Sequence, residues 1–150
     1  MSLAPCISVQ KLHPAAILPH YAHSSPFGDL AADLYAISAC TLLPGQTAAI
    51  PIGLALALPE GFGALIEDRS GLALRGITTL AGVIDPGYRG EIKVVLTNLS
   101  STPYAIEPGS RIAQLRIVQR IEATFTFAEA SDASETVTKR NTGGFGSTGT

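Results

Sequence analysis

The sequence predicts an all-β protein. Turn signals recur at short intervals, the runs between them are brief and apolar or alternating, and only one stretch reads as helix. The turns are "LLPGQT" (42–47), "LPEGFG" (58–63), "DPGYRG" (85–90) and "EPGSR" (107–111). Between them lie "LALAL" (54–58), "ALIED" (64–68), "EIKVVLT" (91–97) and "RIAQLRIV" (111–118). Short strands separated by turns every ~8–12 residues suggest a β-sandwich, a jelly roll or a barrel.

Each element has its own reason. "LALAL" is apolar at every position, as a strand covered on both faces would be. "EIKVVLT" alternates, with Ile92, Val94 and Leu96 on one face and Lys93, Val95 and Thr97 on the other. "RIAQLRIV" sets Gln114 and Arg116 against Ala113, Leu115 and Ile117. The helical stretch is "RSGLALRG" (69–76), which Ser70 could cap and Gly76 would stop. With no long helix, a βαβ parallel sheet is not expected. After Phe127 the chain turns rich in Ser, Thr, Gly and charge. This divides it into a folded unit, 1–127, and a flexible C-terminal arm, 128–150.

The bulk numbers bound the function. A chain of 150 residues fits one domain with a core of its own. Its net charge of −2 gives no electrostatic footprint for nucleic acid or anionic membranes. No apolar run approaches the ~18 residues of a membrane span. Cys6 and Cys40 have no metal-like spacing and read as free thiols. No signal peptide is apparent, so a cytoplasmic location is expected.

Several residues carry possible chemistry. Asp85 sits between an apolar run and a Pro-Gly turn. It either starts the turn or serves as a general base held by a stiff hairpin. Arg69, Ser70 and Gly71 at a helix start could bind an anion, or form a capped surface turn. Asp68 beside them would repel an anion unless it points away or meets a cation. Gln114 and Arg116 suit the wet face of a strand. Asp33 is a lone carboxylate among small apolar residues. His13, His20 and His23 lack the partners of a metal set, and no P-loop is present. The arm ends in "GGFGSTG", with Arg140 upstream. It reads either as a loose terminus or as glycine backbone, hydroxyls and Arg for phosphates, with Phe145 to stack on a base.

Taken in order, "AADLYA" (31–36), "DRSGLALRGI" (68–77), "AGVIDPGYRGEIKVVLTN" (81–98), "PGSRIAQL" (108–115) and "RNTGGFGSTG" (140–149) closely resemble the trimeric deoxyuridine triphosphatases. The resemblance implies a jelly-roll β-barrel and hydrolysis of dUTP to dUMP and pyrophosphate with Mg²⁺. It also implies a homotrimer in which three chains build each site. On this chain, Asp85 would hold the water that attacks the α-phosphorus. Tyr88 would stack under the deoxyribose. The backbone of Thr79 to Ile84, including Gly82 and Val83, would read uracil with Lys93. Arg69, Ser70, Gly71 and Gln114 would bind phosphates, and Asp33 would meet Mg²⁺ through water. Arg140, Phe145, Gly146, Ser147 and Thr148 would close over the nucleotide.

The chain departs from the family pattern at three places. Ala31 stands where the first segment usually has Gly, Asp68 where the second has Pro, and Thr79 where many bacterial members have Asn. The related dCTP deaminases share "IDPGY" but need a glutamate on the following strand, where this chain has Val95. A non-catalytic nucleotide-binding trimer is the other alternative.

Overall fold

The computed structural model describes residues 4–127. The arm residues Arg140, Phe145, Gly146, Ser147 and Thr148 lie outside them. The strands are β1 (Ser8–Lys11), β2 (Ala32–Tyr35), β3 (Cys40–Leu42), β4 (Thr47–Ala57), β5 (Phe62–Glu67), β6 (Ile77–Thr79), β7 (Val83–Ile84), β8 (Glu91–Asn98), β9 (Tyr104–Ile106) and β10 (Arg111–Gln119). One short helix, α1 (Ser70–Ala73), falls between β5 and β6. The strands form two four-stranded sheets, ordered β1-β4-β8-β6 and β2-β10-β5-β7, with a β3-β9 ribbon beside them. All these pairings are antiparallel. This is the jelly-roll form of the expected all-β fold, open rather than closed into one continuous barrel.

The sequence pattern explains the core. β4 carries "LALAL", and Ile52, Leu54 and Leu56 are almost fully buried. On β8, Ile92, Val94 and Leu96 turn inward while Lys93 is exposed. These side chains form one cluster with Leu34, Ile66, Ile112 and Leu115 of the other sheet. A fully buried aliphatic side chain contributes about 1.5–3 kcal/mol by leaving water. Ile112 and Ala113 are both buried although neighbours on a strand should face opposite ways. The register shift between Arg111 and Ala113 against β2 accounts for this. Asn98 is also buried, with its polar atoms matched. Its Nδ2 donates to the carbonyls of Leu42 at 2.9 Å and Thr102 at 2.8 Å, and its Oδ1 accepts from Ser100.

The helix differs from expectation at its start. Ser70 is the first helical residue, not the cap. Arg69 holds the N-cap position in extended conformation, and no side chain caps the helix. The helix therefore begins one residue before a Ser70 cap would have it. Gly76, at φ 77°, ends the turn as expected. Among the described residues, no helix is long and apolar enough to cross a membrane.

Candidate active site

Two groups of candidate residues emerge, at opposite ends of β5. The first gathers on the β2-β10-β5 sheet. Gln114 of β10 pairs with Asp33 on one side and Glu67 on the other, which sets the three in one row across the sheet. Asp33 is buried, its side chain only 8 % exposed, and so must be matched by charge. Arg69 Nε donates to its Oδ1 at 3.1 Å, and an Arg111 terminal nitrogen donates to its Oδ2 at 3.3 Å. Arg69 also donates to the Arg111 carbonyl at 3.1 Å, which fixes the guanidinium from two directions. At the other end of the row, Arg116 grips Glu67 with two bonds of 2.9 and 2.6 Å. That grip holds the Glu67 carboxyl below its ordinary range and raises Arg116 above its own.

Above Asp33 lies a recess of about 370 Å³ lined by Arg69, Gly71, Leu72, Arg75, Tyr104, Ser110 and Arg111. Three arginines and no acid line it. Such a wall attracts a multiply charged anion and offers planar forks for its oxygens. Ser70 is exposed at the start of α1, beside this wall. Arg75, Tyr104 and Arg111 were not singled out in the sequence. Arg111 could have been found from "SRIAQ", since it precedes Gln114 by three residues on the strand that faces Asp33.

The second group is the β7–β8 hairpin. Asp85 follows β7 directly, and its carbonyl accepts the Tyr88 N–H at 3.0 Å. Backbone thus closes the turn, and Asp85 stays exposed. Asp85 borders a small apolar recess with Ala64, Val83, Pro86 and Val118. Tyr88 lies back over Gly90, where any Cβ would collide with the ring, and its hydroxyl donates to the Glu91 carbonyl at 3.0 Å. Lys93 projects from β8. Gly82, at φ 121°, comes so near β5 that a Cβ would sit 2.6 Å from the Ile66 carbonyl oxygen. Only glycine fits there.

Asp68 resolves its own difficulty by turning away from the anion wall. Its Oδ2 accepts from the Thr78 hydroxyl at 2.6 Å, and its Oδ1 accepts the Thr79 N–H at 2.5 Å and hydroxyl at 2.8 Å. Partial burial works to raise this carboxyl, but the bonds from Thr78 and Thr79 outweigh it and hold the group below the ordinary aspartate range. Thr79, expected to face a base, therefore has both donors committed.

The two groups do not meet in one chain. Ile84 pairs with Ala64, five residues before Arg69. At ~3.3 Å per residue that is roughly 16 Å along the strand. The recess beside Asp85 and the arginine-lined recess share no lining residue. Among the described residues, no cluster of three His, Cys, Asp or Glu could hold a metal directly.

Comparison with known proteins adds the family context. The family described as dUTPase matches residues 17–149. The chain is 47% identical over 146 residues to a deoxyuridine 5'-triphosphate nucleotidohydrolase of Solibacter usitatus, covering 95% of each. It is 45% identical to the enzyme of that name from Thermobifida fusca, covering 95% of this chain and 78% of the relative. Among solved structures, it is similar to a Staphylococcus bacteriophage 80alpha dUTPase carrying dUpNHpp. The TM-score is 0.84 at 26% identity, over 98% of this chain and 100% of the other.

Proposed function

The chain belongs to the dUTPase family, and we propose that it hydrolyses dUTP to dUMP and pyrophosphate with the residues described above. The observation that carries this is the family match across residues 17–149, which spans both site groups and the arm. Asp85 is the general base. It takes a proton from a water whose oxygen bonds to the α-phosphorus. The bond from that phosphorus to the α–β bridging oxygen breaks, and pyrophosphate leaves with the electron pair. Such a reaction needs positioning and charge neutralisation more than covalent chemistry. Arg69, Ser70, Gly71 and Gln114 hold the phosphates, and the arginine-lined recess supports that role.

The segment Thr79 to Ile84, with Lys93, reads uracil, and Tyr88 carries the deoxyribose on its ring. The deaminase reading finds no support, because Val95 offers no acid or base. Residues 1–127 make the folded unit. The arm, 128–150, brings Arg140, Phe145, Gly146, Ser147 and Thr148 over the nucleotide and excludes water.

The ~16 Å between the two groups supports shared sites. One chain's Asp85 and Arg69 stand too far apart to hold adjacent phosphates of one nucleotide. Each site therefore takes its hairpin and its arginines from different chains of a homotrimer. Ile121, Phe125 and Phe127, at 87%, 92% and 108% exposure, are apolar surface that assembly would cover. Free thiols at Cys6 and Cys40 accord with a cytoplasmic location.

Mg²⁺ fits this donor set as an ion held by substrate oxygens and water. Asp33 spends one lone pair of each oxygen on an arginine and retains capacity to accept from a metal-bound water. When bound, the ion neutralises phosphate charge.

Purified full-length chain with Mg²⁺ should release one pyrophosphate and one dUMP per dUTP. Ammonia release from dCTP, or no product from either nucleotide, would sink the assignment. Tyr88→Ala should raise kcat/KM for UTP by about tenfold or more, because the ring no longer excludes a 2′-hydroxyl. Gly90→Ala should act in the same direction by displacing the ring. Unchanged UTP rejection in both variants would move sugar selection elsewhere.

A further inference from the structure

Asp68 stands between the two site groups and belongs to neither. All three of its donors come from Thr78 and Thr79 on β6. β6 is an edge strand of three residues, hydrogen-bonded only to β8 within its sheet. Just beyond Thr79 the chain leaves that sheet for the other. The Leu80 N–H bonds the Val95 carbonyl at 2.9 Å, and the Gly82 carbonyl accepts from Ile66 at 2.8 Å. Between them Ala81 sits at φ 63°, an uncommon conformation for a residue with a Cβ. Strained backbone persists only where its surroundings over-determine it. Ile66 holds the far side of the crossing through Gly82, and β8 holds Leu80 on the near side. Asp68 holds its near end.

We propose that Asp68 is a positioning residue for the base-reading segment 79–84, latching Thr79 to the anion-binding loop through three hydrogen bonds on one carboxylate. The inference rests on the reading of 79–84 as the uracil pocket. A hydroxyl has one proton, and that of Thr79 is donated to Asp68. Thr79 therefore offers a base its hydroxyl lone pair as acceptor, and neither its N–H nor its O–H as donor. A proline at this position could accept none of these bonds. Because hairpin and arginine wall serve different sites in the assembly, the latch also joins neighbouring sites through one chain.

The test compares Asp68→Ala and Thr78→Val with the parent, as protein of matched thermal stability. Asp68→Ala, which removes all three bonds, should raise the dUMP dissociation constant and the KM for dUTP about tenfold, with kcat and pyrophosphate affinity within about twofold. Thr78→Val, which removes only the Oδ2 partner, should move dUMP binding about threefold in the same direction. A purely structural role would not divide dUMP from pyrophosphate. Binding of dUMP within twofold of the parent in both variants would overturn the proposal. So would pyrophosphate affinity that falls as far as dUMP affinity. If Asp68→Ala does not fold, Thr78→Val decides by the same criteria. Hydrogen exchange at the Thr79 amide reads the latch independently of any activity. It should quicken at least about tenfold in Asp68→Ala, which removes both acceptor oxygens, and unchanged exchange would refute the latch. A parent that shows this amide protection but no dUTP turnover would instead locate the failure in the enzymatic reading.

Discussion

Replacing Asp85 by Asn is expected to lower kcat by about a thousandfold while leaving the KM for dUTP within a few-fold. Positioned general bases contribute roughly 10²–10⁴ in rate. Asparagine keeps the shape of the side chain and can still orient a water, but it cannot take the proton. The substitution should not disturb the hairpin, because the turn is closed by the Asp85 carbonyl and the Tyr88 N–H rather than by the carboxylate. Binding rests on other groups: the arginine wall for the phosphates and the 79–84 segment for uracil. The effect should therefore fall on kcat alone. Single-turnover pyrophosphate release and dUMP titration check both halves. A kcat within tenfold of the parent would assign the proton to another acceptor.

Deleting residues 140–150 should lower kcat/KM for dUTP by about a hundredfold or more with little change in melting temperature. The sequence there supplies one cation, Arg140, one aromatic, Phe145, and four hydroxyls, Ser147 and Thr148 among them, at a glycine-rich end. These suit contact with a charged nucleotide and exclusion of water, and loss of positioning of that kind costs on the order of 10². The folded unit should not notice, since the core cluster of the described residues runs from Ala16 to Leu115. Steady-state kinetics beside thermal unfolding separate the two effects. A truncated chain that melts early, or one that turns over dUTP normally, would each contradict the assigned role of the arm.

The strands that were legible in the sequence are those whose burial is written locally. β4, β5, β8 and β10 each lie in or around a short run bounded by turn residues, and their apolar sides face the core as the pattern requires. β1, β2, β3 and β9 were not picked out. At three or four residues each they are too short for alternation to register, and partners far away in sequence hold them. The helix start was misread for a related reason. Ser70 looks like a cap, but Arg69 takes the extended N-cap position, its side chain engaged by Asp33 while that of Asp68 is engaged by Thr78 and Thr79. The site divides in the same way. Single residues such as Asp85, Arg69 and Gln114 stand out by type and by family likeness. The tie between Arg69 and Asp33, 36 residues apart, and the part of Arg111 on the other side of that carboxylate depend on three-strand register. One-dimensional spacing does not contain it.

The central claim is that water attacks the α-phosphorus under the control of Asp85. Hydrolysis in ¹⁸O-labelled water, with mass analysis of both products after one turnover, tests it directly. The account predicts the heavy oxygen in dUMP and none in pyrophosphate. Label in the pyrophosphate instead would mean attack at the β-phosphorus, and the geometry assigned to Asp85 would be wrong.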